Sequence, residues 1–196
     1  MRTTSNQKYE ITEISHEKYP FLHRIRALRD VSAEVRAGDL GGFVESESNL
    51  SFEPDDTAWI FDDAIACNDA YVVLRGEVVV CDNAYISMGA VLSGHARVED
   101  NAYVRGAVLN ASARASGFSM ILNDKDTMGV PILSGHCAVY GKVSGDVRLT
   151  GSALVISGEE IRNDTLDTLV ISGKNRSVIR DSSRDELASQ QPAPSP

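Results

Sequence analysis

The chain has 196 residues, of which 42% are hydrophobic and 24% are charged, so it belongs to the globular class and suits one ordinary domain. Its formal net charge of -9 argues against general binding to nucleic-acid phosphates and against docking on anionic membranes, because both depend on clustered Lys and Arg. Only 6% of the residues are aromatic, which favours a narrow and regular core of Ala, Val, Ile and Leu.

The three cysteines are Cys67, Cys81 and Cys137, an odd number with wide spacings and no CxxC pair. This pattern indicates neither a disulfide framework nor a cysteine zinc site. The first residues, MRTTSNQKYEITEI, lack the apolar run of a signal peptide, and no stretch approaches the apolar length of a membrane span. We therefore expect a cytoplasmic protein with reduced thiols.

Residues 1–36 are predicted to form a leader that caps the N-terminal end of the structure that follows. The run KYEITEI, which begins at Lys8, alternates apolar and polar residues and predicts a strand. The run LHRIRALRDV, which begins at Leu22, fits either a second strand or a short helix. We expect a cap because the end of a solenoid otherwise invites edge-to-edge growth.

A six-residue repeat follows over residues 37–178, in which a small residue precedes an aliphatic one by two positions. A spacing of two is the strand period, so both side chains of a pair face the same way. The residues between pairs are often Asp, Asn, Gly or Ser, which form turns, so each unit is a short strand plus a corner. Examples are Ala58/Ile60, Ala84/Ile86, Ala90/Leu92, Ala96/Val98 and Ala102/Val104.

The units group in threes, since DNAYISMGAVLSG starts at Asp82 and DNAYVRGAVLNAS starts 18 residues later at Asp100. Three units make one triangular coil, and stacked coils bury the aliphatic column. A period of six matches no helical period, and a β-sandwich would show longer strands. The sequence thus predicts an all-β parallel β-helix, with a loop inserted at 116–130 and a disordered tail over 179–196.

Several strings carry a resemblance to a known family: RALRD from Arg26, AGDLGGFVE from Ala37, NLS from Asn49 and AWI from Ala58. With the repeat, they make residues 20–175 similar to the hexapeptide-repeat superfamily, and in particular to YdcK-type proteins of phages and enterobacteria. The resemblance implies coils that wind left-handed, against the usual handedness of parallel crossovers.

The resemblance also implies an enzyme, because many hexapeptide-repeat proteins are trimeric acyltransferases that use acyl-CoA as co-substrate, with a histidine as general base. Here His95 and His136, in matching Ser-Gly-His corners, would be catalytic, and Asn123, Asp124 and Asp126 of the inserted loop would hold the acceptor. Alternatively, both histidines are solvated corner residues, since few surface histidines are catalytic. We expect no bound cofactor and no metal, because the four histidines lack the spacing of a three-histidine zinc site.

A binding protein without catalysis is the second hypothesis. Trp59, Tyr71, Tyr85 and Tyr103 fall on outward positions and would form an aromatic interface stripe, in which Tyr85 and Tyr103 stack. A homotrimer is the favoured occupant of this stripe, because closed symmetric assemblies commonly cover exposed apolar faces. A host or defence protein is the other occupant, as for an inhibitor encoded by a phage or mobile element. The sequence leaves the enzyme and the binding protein nearly equal.

Overall fold

The computed structural model describes residues 6–72 and 76–181, which fold into a parallel β-solenoid of about seven turns. Each turn adds one short strand to each of three parallel sheets, and the chain visits them in the fixed order face A, face B, face C. In the described residues, helix is limited to one 3-10 turn, Glu47–Asn49. The all-β parallel β-helix predicted from the repeat is confirmed, as is the left-handed winding that the resemblance implies.

The strands of the described residues divide among the three faces. Face A, including the leader, comprises β1 (Tyr9–Ser15), β2 (His23–Ala27), β3 (Leu40–Val44), β5 (Ile65–Ala66), β8 (Tyr85–Ser87), β11 (Tyr103–Arg105), β14 (Met120–Leu122), β17 (Lys142–Gly145) and β20 (Glu160–Asn163). Face B comprises β6 (Tyr71–Val72), β9 (Val91–Leu92), β12 (Val108–Leu109), β15 (Ile132–Leu133), β18 (Val147–Thr150), β21 (Thr168–Ser172) and β22 (Asn175–Ile179). Face C comprises β4 (Trp59–Ile60), β7 (Val79–Val80), β10 (Arg97–Val98), β13 (Arg114–Ala115), β16 (Ala138–Val139) and β19 (Leu154–Val155).

The core is a stack of aliphatic side chains, one from each strand of the solenoid. The second residue of each hexad pair points inward and pairs in register with its counterpart in the next coil, as Ile86 does with Val104. Burying one Val, Leu or Ile side chain stabilises a fold by roughly 1.5–3 kcal/mol, so these columns hold the coils together. The face C column, which is buried throughout, consists of Ile60, Val80, Val98, Ala115, Val139 and Val155.

A ladder of aspartates fixes the corner between faces C and A. Asp62, Asp82 and Asp100 have φ angles of 51°, 60° and 60°, a left-handed conformation that Asp adopts more readily than bulkier residues. The Asp62 carboxylate accepts a hydrogen bond from Asp82 N at 3.2 Å, that of Asp82 from Asp100 N at 3.1 Å, and that of Asp100 from Gly117 N at 2.8 Å. The aspartates of the repeated strings are therefore turn residues that join successive coils.

The leader covers the N-terminal end of the solenoid. β1 and β2 form an antiparallel hairpin and β2 pairs antiparallel with β3, so the second run of the leader is a strand and not a helix. Tyr9 is fully buried, its ring contacts that of Trp59 edge-on at 6.3 Å, and its hydroxyl donates to Leu50 O at 2.8 Å. The leader is thus anchored to the first coil through a buried aromatic side chain.

A buried ion pair lies beside this contact. Lys8 Nζ is 3.2 Å from Asp56 Oδ2 and donates to Ser51 O at 2.9 Å, and the Lys8 and Asp56 side chains are 0% and 1% exposed. Burial lowers the pKa of Lys8 to about 8, although the Asp56 charge opposes this shift. Either charge would be costly to hold without the other, so the pair also ties the leader to the first coil.

The inserted loop is shorter than the predicted 116–130. Met120–Leu122 forms β14, and Ile121 is buried in the inward column of face A. The predicted loop was too long because it included a strand of the repeat. Ser119 and Ile121 keep the repeat's spacing of two, but they lie among polar residues and Gly117, which hid the pattern. At the other end, β22 runs to Ile179, and residues 182–196 of the predicted tail lie outside the described residues.

Candidate functional site

The two predicted catalytic histidines lie on one edge of the solenoid, the corner between faces B and C. His95 N donates to Ala111 O at 2.6 Å and Ser112 N donates to Gly135 O at 2.8 Å, which places Ser112 between His95 and His136 in successive coils. With a strand spacing of about 4.8 Å, the two histidines are two coils, roughly 10 Å, apart. They share an edge but are not in contact.

The predicted acceptor-binding loop lies on a different edge, the corner between faces A and B, because it joins β14 to β15. Asn123 Oδ1 accepts a hydrogen bond from Arg105 Nε at 3.0 Å. Asp124 Oδ1 accepts from Thr127 N at 3.0 Å and from Asp126 N at 2.8 Å, and these bonds lower the pKa of Asp124. Asn123 therefore joins the loop to the preceding coil, Asp124 stabilises the turn that contains Asp126, and the structure does not bring these residues to the histidines.

A cleft of about 560 Å³ lies between the leader and the N-terminal half of face C. His95 is on its border, with Nδ1 3.9 Å from Glu77 Oε2. Both side chains are well exposed, at 64% and 81%. The lining residues are Ser32, Ala33, Glu34, Thr57, Phe61, Glu77, Val78, Val79, His95 and Arg97.

Beside the cleft, face C carries a network of charged side chains. The Glu99 side chain is only 8% exposed, and its carboxylate accepts hydrogen bonds from Arg97, Arg114 and, at 3.1 Å, Ser116 Oγ. Burial raises the pKa of Glu99, but the hydrogen bonds from the two arginines and the serine outweigh it and lower the pKa overall. Sequence reasoning missed this network, although Arg97 and Arg114 occupy the same outward position in successive coils, which was a usable signal.

The three cysteines are free and buried. Burial raises the pKa of Cys81 to about 12 and that of Cys137 to about 11. It also raises the pKa of Cys67, whose Sγ lies 3.2 Å from the Tyr85 hydroxyl. Because the thiolate is the reactive form, these environments favour a packing role for all three side chains.

The structure brings together only two of the four residues of the predicted aromatic stripe. Tyr85 pairs in register with Tyr103 on face A, and their rings lie 5.4 Å apart. Tyr19 of the leader extends this contact, at 6.4 Å from Tyr85. Tyr71 lies on face B, and Trp59 lies on face C with 1% exposure, so placing Trp59 in an exposed interface was wrong. The reason is the leader, whose Tyr9 packs against the indole.

An exposed apolar surface occupies the C-terminal end of face C, and sequence reasoning missed it. Leu154 is 56% exposed and pairs in register with Ala138, while Tyr140 N donates to Val155 O at 2.8 Å, which sets Tyr140 beside Ile156. Phe118, at the preceding corner, is 81% exposed. We define the C-terminal apolar patch as Phe118, Tyr140, Leu154 and Ile156.

No protein-family model matches the chain, and no curated protein or solved structure matches it. The solenoid architecture is therefore established by the strand order and register described above. Within residues 6–72 and 76–181, no helix has the length and apolar character needed to span a membrane. The same residues contain no group of three or more His, Cys, Asp or Glu side chains arranged to hold a metal ion.

Proposed function

We propose that this protein is a non-catalytic binding solenoid that assembles with further copies of itself through the C-terminal apolar patch. The proposal is carried by the exposure of Leu154 and Ile156, at 56% and 58%, on outward positions of face C. The same positions at the other end of face C hold Trp59 and Phe61, which pack against the core. Adjacent exposed apolar side chains on a flat sheet favour an interface.

Two further features support another copy of the chain as the occupant. β19 is the last strand of face C in the described residues, so Leu154 has a neighbouring strand of that sheet on one side only. In a twofold-symmetric dimer the same surface of each copy lies at the interface, so the apolar patch of one copy would meet an apolar patch of matching chemistry. Tyr140 adds a side chain that combines aromatic area with a hydroxyl, which is common at interfaces.

Sedimentation velocity over a range of protein concentrations tests this assembly. We expect the wild-type protein to sediment as an oligomer, whose mass distinguishes a dimer from the homotrimer that the family resemblance implies. The double variant Leu154→Asp/Ile156→Asp should be monomeric. Leu28→Asp is the control, because Leu28 is also exposed, at 47%, but belongs to the leader. A monomeric wild-type protein, or an unchanged mass in the double variant, would refute the proposal.

A CoA-dependent acyltransferase is the second candidate, and one observation favours it. His95 borders a cleft, with Nδ1 3.9 Å from Glu77 Oε2, and a neutral imidazole at this place could accept a proton from an acyl acceptor. Titration with acetyl-CoA and with CoA should then raise the melting temperature saturably. His95→Ala should abolish that rise, whereas His136→Ala tests the other predicted histidine, which does not line the cleft. No rise with either ligand would contradict the enzyme.

Membership of the YdcK-type group, and a host or defence protein as an external partner, stay predictions from the resemblance. The cytoplasmic location stays a prediction from the cysteines and the apolar pattern of the sequence. The six-residue frame and the left-handed parallel coil support the wider superfamily.

A further inference from the structure

The cleft beside His95 has one wall from the leader and one from the solenoid. The leader contributes Ser32, Ala33 and Glu34, and the corner before β7 contributes Glu77. Phe61 and Val79 are outward residues of face C and line the same space. At about 560 Å³ the cleft falls in the range of small-ligand sites, roughly 300–1,000 Å³.

The charges around this cleft favour a cation. Glu34 makes no ion pair with any described residue, and the only described ionic partner of Glu77 is the imidazole of His95 at 3.9 Å. Arg97 also lines the cleft, but its guanidinium is bound to the buried carboxylate of Glu99. The lining therefore holds two carboxylates and one guanidinium, and because that guanidinium is already hydrogen-bonded to Glu99, the lining carries a net negative charge.

The apolar part of the lining selects among cations. Phe61 packs against the hydrophobic core, and Val79 lies in the same cleft. A small hydrated metal ion gains nothing from such a surface. An ammonium or guanidinium group on an aliphatic stem gains from both parts, because the stem contacts Phe61 and Val79 while the charge meets carboxylate oxygens.

We propose that this cleft binds an organic cation, an ammonium or guanidinium group carried on a short aliphatic stem. Glu34 and Glu77 bind the charged group, and Phe61 with Val79 contacts the stem. The same chemistry is presented by a free alkylguanidine and by an Arg or Lys side chain of a peptide. The formal net charge of -9 raises the local concentration of either kind of cation.

Isothermal titration calorimetry at low ionic strength tests the site with matched probes. We expect n-butylguanidinium and n-butylammonium to bind, and neutral n-butanol and anionic butyrate to bind at least tenfold more weakly. Added salt should weaken the binding of the cations, because the carboxylates are exposed and screened. Absence of binding by both cations, or equal binding of n-butanol or butyrate, would overturn the proposal.

Charge-removing variants locate the site. Glu34→Gln/Glu77→Gln should weaken cation binding at least tenfold, whereas Glu13→Gln should leave it unchanged, because Glu13 is an exposed glutamate of β1 outside the cleft. Unchanged affinity in the double variant would overturn the assignment. The peptide Gly-Arg-Gly distinguishes the sources: tighter binding than n-butylguanidinium identifies an Arg side chain, and weaker binding identifies a free small molecule. These variants leave the C-terminal apolar patch intact, so this test and the assembly test fail independently.

Discussion

The two ends of face C carry large apolar side chains at the same outward positions and differ in what covers them. Trp59 in the first strand of the face is 1% exposed, and Leu154 in the last strand is 56% exposed. β1 and β2 fold back over the first coil, and Tyr9 packs against Trp59. The repeat therefore decides which side chains point outward, and the leader decides which of them are buried.

Coverage by the leader changes how much an outward apolar side chain contributes to the free energy of folding. An outward apolar side chain under the leader contributes to folding, because its area leaves water when the leader packs. An equivalent side chain at the uncovered end contributes little to the folding of one chain, and its area leaves water only when another protein binds. Substitutions at inward and outward positions of face C, and in the ion pair under the leader, test this division.

The column of inward side chains runs from one end of face C to the other, and a charge placed in it should unfold the whole chain. Val98 is fully buried in the face C column, so Val98→Asp buries an unpaired carboxylate. We expect the cooperative melting transition to disappear in circular dichroism and calorimetry. Leu154→Asp is the matched control, since Leu154 lies on the same face but points outward, and it should still melt cooperatively. A native transition in Val98→Asp would disprove the inward frame.

Equivalent truncations at the two ends should differ sharply. Trp59→Ala removes a buried indole from under the leader and should lower the free energy of unfolding by about 3–5 kcal/mol. Leu154→Ala removes an exposed side chain and should change it by less than about 0.5 kcal/mol in the dissociated chain. Urea denaturation at low protein concentration measures both. Similar costs at the two positions would contradict the comparison.

The ion pair under the leader should be sensitive to the loss of one partner. Lys8→Met leaves the buried Asp56 carboxylate unpaired and should cost about 3–5 kcal/mol. Lys8→Met/Asp56→Asn removes that charge and keeps an acceptor for Ala58 N, which donates to Asp56 Oδ1 at 3.1 Å, so it should recover most of the loss. Urea denaturation of Lys8→Met, Asp56→Asn and the double variant gives the coupling energy between the two side chains. A single variant that costs less than about 1 kcal/mol would show that the pair is not held as described.

The same lysine should contribute a stability that rises with pH in a defined window. Its pKa is about 8 in the folded protein and 10.5 unfolded, so between these values the unfolded lysine binds more protons than the folded one and the contribution of Lys8 to the free energy of unfolding increases with pH. The buried cysteines oppose this rise from about pH 9, and the buried Tyr9 opposes it above pH 10, because burial raises the pKa of each of these groups. The contribution of Lys8 is therefore measured as the difference in the free energy of unfolding between the wild-type protein and Lys8→Met. From pH 8 to pH 10 we expect this difference to shift in favour of the wild-type protein by an amount on the order of 2 kcal/mol, and a difference that does not change with pH would contradict the assignment.

Much of the fold could be predicted from the sequence, because a hexad is a local pattern. Ala84 followed by Ile86, and Ala102 followed by Val104, place an inward strand residue in each coil whatever surrounds it. The spacing of 18 residues between Tyr85 and Tyr103 likewise placed their rings side by side. The left-handed coil came from the family resemblance, not from the spacing.

The site was much less predictable, because it depends on which corner each insertion occupies. His95 and the loop with Asp124 lie near each other in sequence but on different edges of the solenoid, since one follows face B and the other follows face A. The cleft forms only where the leader residues around Glu34 approach Glu77, more than forty positions further along the chain. No pattern of neighbouring residues in the sequence predicts that these two segments come together.

By itself, the sequence determined the period, the inward column and the outward column of this protein, because these follow from strand alternation and turn residues within each hexad. Only the tertiary structure decided which outward residues are buried and which remain exposed. Trp59 and Leu154 obey the same rule in the repeat, and their different burial comes from a leader that packs across one end of the solenoid and does not reach the other. Burial of an outward position is a property of what packs against it, and the repeat does not encode that contact.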